Sequence, residues 1–147
     1  MSHLADLRGH RFLVLALLVG PLASSGLHVA THLGAVEIPH PNLDWATLVN
    51  LLLLAPVLEE LVFRGGVQEA LDRTPFGRLY LAGGVSVGNV LASALFSVAH
   101  LLVDPPWLAA SVFFPSLVFG RLKQVYPSLL PAMLVHTWYN VCYLAAG

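Results

Sequence analysis

The chain carries little charge. Asp, Glu, Lys and Arg make up 10 % of its 147 residues, against roughly 25 % in an ordinary soluble domain. A small folded domain is mostly surface, and so few charges cannot cover it, which excludes a soluble globular domain. At 57 % hydrophobic residues a disordered chain is excluded as well. Basic excess is also missing: seven Lys and Arg face eight Asp and Glu, which leaves nothing to neutralise a phosphate backbone and excludes a nucleic-acid partner. The single cysteine, Cys142, rules out an internal disulfide framework and a Cys-rich metal site. Alternating apolar and polar strands are lacking, so a membrane barrel is excluded. Internal repeats, low-complexity tracts and long linkers are lacking too.

What is present is apolar sequence in lengths that suit a bilayer. A crossing helix needs roughly 20 residues. Five spans are expected: about Arg11 to Leu33, about Asp44 to Asp72, a third starting between Tyr80 and Val85 and ending near Val103, a short fourth from about Trp107 to Phe119, and a fifth from about Ser128 to Ala146. The fold class is therefore an all-α polytopic membrane helix bundle. Arg8, Arg11, Arg73, Arg78, Arg121 and Lys123 fall on one side of these spans, and the opposite loops carry Glu37, Asp44 and Asp104. The positive-inside rule then places the N-terminus in the cytoplasm.

Ionisable groups at bilayer depth are costly and mark function by default. Three groups interrupt the apolar runs. Glu59-Glu60-Leu61-Val62-Phe63-Arg64 follows Leu51 to Leu58. Glu60 and Arg64 are one helical turn apart in the favourable acid-before-base order, and Glu59 points about 100° away from them. Pro56 removes a backbone N–H one turn upstream. On the third span Phe96 and His100 share a face, below a ladder of Gly84, Gly88 and Ala92 that suits close helix packing. On the fifth, His136 and Asn140 sit one turn apart, and both can donate hydrogen bonds. That pair equally suits helix–helix hydrogen bonding in lipid. Convergence of the three would satisfy every buried polar group and assemble a general base, an imidazole and two donors, a set fitted to water attack on a carbonyl. At 1.5 Å per residue, Glu59 lies roughly 20 Å from Asp72, His136 roughly 12 Å from Ser128 and His100 roughly 23–30 Å from its span's start. These depths agree only if helices tilt or the third span starts late.

The order E-E-x-x-x-R, F-x-x-x-H, H-x-x-x-N on hydrophobic helices resembles the CAAX prenyl protease 2 and bacteriocin-processing (CPBP, Abi) family of glutamic intramembrane proteases. The resemblance covers about Leu48 to Leu144, and Phe63-Arg64-Gly65 and Pro131 agree with it. It implies a single membrane domain over 1–147, with an extra N-terminal span and loop at 11–43, a protease core at 44–147 and a conical intramembrane catalytic cavity. It implies that Glu59 activates water, that His100 holds or co-activates it, and that His136 and Asn140 form the oxyanion site. Glu60, Arg64 and Phe96 become supporting residues. No cofactor and no metal are implied. The partners are a protein or peptide substrate in the membrane and the lipid bilayer, and the short chain and loops suit a bacterial inner membrane. The Phe113-Phe114-Pro115-Ser116 region is similar to small bacterial members associated with C-terminal sorting signals.

Two other readings compete. Glu59, Glu60, His100 and His136 offer zinc-type ligands, although no H-E-x-x-H helix or Cys/His cluster accompanies them; His28 and His32 form a further i, i+4 pair at the end of the first span. A non-catalytic immunity protein that binds a secreted peptide is the other.

Overall fold

The computed structural model describes residues 2–39 and 42–146, with side chains from Gly9 onward. It is helical throughout: α1 (Ser2–His32), α2 (Trp45–Asp72), α3 (Val87–His100), α4 (Pro106–Ser111), α5 (Phe113–Val125) and α6 (Leu130–Ala146). Among the described residues, two stretches are long and apolar enough to cross a membrane, Gly9–His32 and Trp45–Asp72, with mean hydropathies of 1.9 and 1.8. Their apolar side chains are largely exposed, Leu22 and Leu58 among them.

Local chemistry sets the ends of these helices. Asp44 caps α2 by accepting the Thr47 N–H at 2.8 Å, and Ser86 caps α3 by accepting the Asn89 N–H at 3.0 Å. Pro106 opens α4 at a position where its missing N–H costs nothing. Pro115 cannot bond the Ser111 carbonyl and crowds it, so the expected fourth span is two helices that meet at Val112. The third span is also shorter than expected. Residues 80–86 form a tight turn in which Gly83 and Gly84 take φ of +77° and +74°, a conformation that suits glycine. Gly84 therefore lies outside the α3 ladder to which the sequence assigns it.

α2 is not a uniform α-helix. Asn50–Leu54 and Leu61–Gln68 are π-helical, with wider turns closed by i→i+5 bonds. In an α-helix a four-residue step overshoots one turn by about 40°, so a polar stripe at that spacing winds off its face. The π stretch turns less per residue and offsets the drift. Glu60, Arg64 and Gln68 are all fully buried as a result.

The chain forms two compact units. One contains residues 1–57 and 134–147, the other residues 58–133. In the first, α6 is pinned to two helices beneath their prolines. An N–H at position 21 would bond Leu17, and one at 56 would bond Leu52 or, in a π-turn, Leu51; proline has none. Trp138 Nε1 donates to the Leu17 carbonyl at 3.0 Å and Tyr139 Oη to Ala16 at 2.7 Å. Thr137 Oγ1 donates to Leu52 at 3.0 Å and Asn140 Nδ2 to Leu51 at 2.7 Å. Four consecutive side chains of α6 thus take carbonyls below Pro21 and Pro56. Gly20 lets α6 close on α1, since a Cβ there would stand 3.0 Å from the Tyr139 ring.

The second unit is polar inside and apolar outside. Glu60, Arg64, Gln68, Ser86, Asn89, Ser93 and Ser116 are buried beside Phe96, Phe119 and Leu122. Leu61, Val62, Leu95 and Val98 are exposed. Here α3 runs antiparallel to α2, tied at one end by Ser86 Oγ donating to Asp72 Oδ1 at 2.7 Å. α5 runs parallel to α2 and lies so close to α3 that a Cβ on Gly120 would collide with the Asn89 side chain.

Candidate functional site

Four of the residues singled out in the sequence meet in the second unit. Arg64 Nε lies 3.2 Å from Glu60 Oε2, and both side chains are wholly buried. Arg64 Nη2 donates to Ser116 Oγ at 2.8 Å. The guanidinium lies 5.4 Å from the centre of the Phe96 ring and 6.0 Å from that of Phe119, within the range of cation–π attraction. Phe96 in turn packs against the His100 imidazole, with ring centres 4.3 Å apart, and meets Phe63 edge-on at 5.1 Å. Glu60, Arg64, Phe96 and His100 are thus one continuous cluster on α2 and α3.

The cluster orients His100. Its Nδ1 lies 3.0 Å from the Phe96 carbonyl. A carbonyl only accepts, so Nδ1 carries the proton and the neutral ring keeps a lone pair on Nε2. That nitrogen can take a hydrogen bond from water or from a substrate N–H.

Glu59 is half-buried beside this cluster. Both Glu60 and Glu59 act electrostatically on Arg64, Glu60 more strongly. The late start of α3 brings Glu59 and His100 to similar distances along their helices. From the Asp72–Ser86 bond, Glu59 is 13 residues back along α2 and His100 is 14 residues forward along α3. Both lie roughly 20 Å from that bond.

His136 and Asn140 belong to the other unit. His136 is buried, whereas Asn140 is half-buried and uses one amide N–H on the Leu51 carbonyl. An amide has two such hydrogens, so one remains for another acceptor. Trp138 and Tyr139, which lie within the motif between His136 and Asn140, are bonded to α1 and form packing walls. His28 and His32 meet edge-on with ring centres 4.4 Å apart, and His28 Nδ1 caps the Ala146 carbonyl at 3.0 Å.

Sequence reasoning missed the contacts that Ser116 and Gln68 make in this cluster. Ser116 meets Arg64 across 52 residues of chain, and no local pattern announces such a partner. Gln68 had a signal: it continues the four-residue step from Glu60 through Arg64 to Asp72.

A family model described as type II CAAX prenyl endopeptidase Rce1-like matches residues 41–142. No curated protein and no solved structure matches the chain.

Proposed function

Because the chain belongs to the Rce1-like family of type II CAAX prenyl endopeptidases, a family of membrane peptidases, we propose that it is a glutamic-type intramembrane endopeptidase built as a bundle of about five spans. Its substrate is the C-terminal region or the leader of a membrane-associated protein or peptide. Glu59 takes a proton from water, and the water oxygen attacks the scissile carbonyl carbon. His136 and Asn140 donate to the oxyanion that forms. Collapse of that intermediate breaks the C–N bond, and the proton held by Glu59 passes to the leaving amine. His100 holds the attacking water through Nε2. Glu60, Arg64 and Phe96 position this pair. The membrane is a bacterial inner membrane, with the N-terminus in the cytoplasm.

The observation that supports the reading is the cluster of Glu60, Arg64, Phe96 and His100 next to Glu59, in which the His100 Nδ1 lies 3.0 Å from the Phe96 carbonyl. Structural packing alone needs one buried ion pair; it does not need a second carboxylate and an oriented imidazole beside it. The test compares C-terminal masses of membrane-associated proteins from cells that carry wild-type or Glu59→Gln protein. A fragment seen only with the wild type is expected, while the variant elutes from detergent extraction as the wild type does. Turnover retained by Glu59→Gln would remove Glu59 from the mechanism.

A further inference from the structure

Inside the second unit, α2 and α5 face each other in constant register. Arg64 bonds Ser116 and Gln68 bonds Gly120, each pair separated by 52 residues. The next step at this spacing pairs Asp72 with Gln124, and these two line a cavity of about 350 Å³ together with Arg78, Tyr80 and Lys123. At each rung one polar atom is served by protein and another is buried without a hydrogen-bond partner. Arg64 Nη2 is bonded while Nη1 is not. Gln68 Nε2 donates to the Gly120 carbonyl at 3.1 Å while its Oε1 has no partner. Both amide atoms of Gln124 are buried and unbonded. α3 adds Ser93 and Asn89 to the same seam, with Asn89 Nδ2 donating to the Leu117 carbonyl at 3.0 Å.

Buried polar atoms without partners are rare in native proteins, and ordered water is their usual partner where the lining is polar and roomy. A run of them, one rung after another from a polar cavity to a buried ion pair, has the form of a water path. We propose that this seam holds a file of water molecules leading from the cavity at Asp72 to the Glu60–Arg64 pair, and that it supplies the water consumed at Glu59. The supply role rests on the hydrolase reading above; the hydration of the seam does not. Leu61, Val62 and the lipid-facing side of α3 are apolar, so water has no comparable path across the outer faces of these helices. Donors and acceptors alternate along the seam, and Gln68 stands midway as its narrow point.

The test uses full-length protein in lipid nanodiscs, with the native thiol removed as Cys142→Ala and one cysteine placed at a time. The probe is Ag⁺, close to water in size and reactive with thiols. Gln124→Cys reports the cavity, Ser116→Cys the deep seam and Val98→Cys the apolar outer face. The Ser116→Cys thiol is expected to react within tenfold of the Gln124→Cys rate and at least a hundredfold faster than the Val98→Cys thiol. Adding Gln68→Leu is expected to slow Ser116→Cys tenfold or more and leave Gln124→Cys unchanged. Ser93→Cys takes the place of Ser116→Cys if the latter does not fold. A deep thiol no more reactive than the outer one overturns the hydrated seam. With the native thiol restored, Gln68→Leu is expected to lower kcat at least tenfold with little change in KM. Full kcat in a variant whose seam is blocked to Ag⁺ overturns the supply role. If Glu59→Gln retains turnover, the glutamate-activated mechanism and supply of water to Glu59 fail while the accessibility pattern stands.

Discussion

Arg64 holds the Glu60 carboxylate, a serine hydroxyl and two aromatic faces from a fully buried position. Removing one partner of a buried ion pair strands the other charge, at a cost of about 3–5 kcal/mol. Arg64→Met is therefore expected to lower the midpoint of thermal unfolding in detergent sharply, and the double variant Glu60→Gln/Arg64→Met to recover part of the loss. A double variant no more stable than Arg64→Met would mean that the guanidinium stabilises through packing alone. Asn140 poses a different question, because one of its hydrogens already serves the Leu51 carbonyl. Thr137 makes the neighbouring bond to Leu52 without belonging to the motif. Interhelical bonds of this kind contribute about 0.6 kcal/mol, and roughly 1.7 at most. Asn140→Leu and Thr137→Val are expected to destabilise by similar amounts, but only Asn140→Leu to reduce kcat by an order of magnitude or more. Equal effects on kcat would make Asn140 a clamp and nothing else.

At the scale of elements, the π-helical stretches do what an α-helix cannot: they keep a four-residue stripe on one face while proline-freed carbonyls turn toward α6. Pro56→Ala restores an N–H that competes with Thr137 and Asn140 for those carbonyls. It is expected to raise the helicity of α2, weaken the α6 bonds and show non-additivity with Asn140→Leu in a double-mutant cycle. Additive stabilities would disconnect the proline from the clamp. The sequence disclosed the Glu60–Arg64 pair and the influence of Pro56 because both are local, set by spacing and by a missing N–H. It also disclosed that Phe96 and His100 share a face. It misplaced the start of α3, because Tyr80, Leu81, Ala82 and Val85 are as apolar as a span and hydropathy does not distinguish a tight turn from a helix. The cues lay in Gly83-Gly84 followed by Ser86, a glycine stop and an N-cap. The split at Val112 was likewise written in Pro115, three residues further along the apolar run. Ser116 and the second hydrogen bonds of α6 were illegible, since their partners are fixed by packing and not by spacing.

Across the whole molecule, polarity is turned inward. The second unit buries a guanidinium, a carboxylate and two carboxamides and exposes leucine and valine, an arrangement that water would destabilise and lipid tolerates. Glutamate-activated water requires no metal, so exhaustive chelation is expected to leave turnover unchanged; loss of activity that added Zn²⁺ restores would replace the carboxylate mechanism by a zinc one.

The clamp beneath the two prolines also has a consequence for biogenesis. α1 and α2 leave the ribosome well before α6, so the proline-freed carbonyls of Leu17, Leu51 and Leu52 lack their α6 partners while more than sixty residues are still to be translated (Asp72 to Leu134). The unit that joins α1 and the start of α2 to α6 closes late, and a ribosome stalled before Trp138 would leave these two helices unlatched.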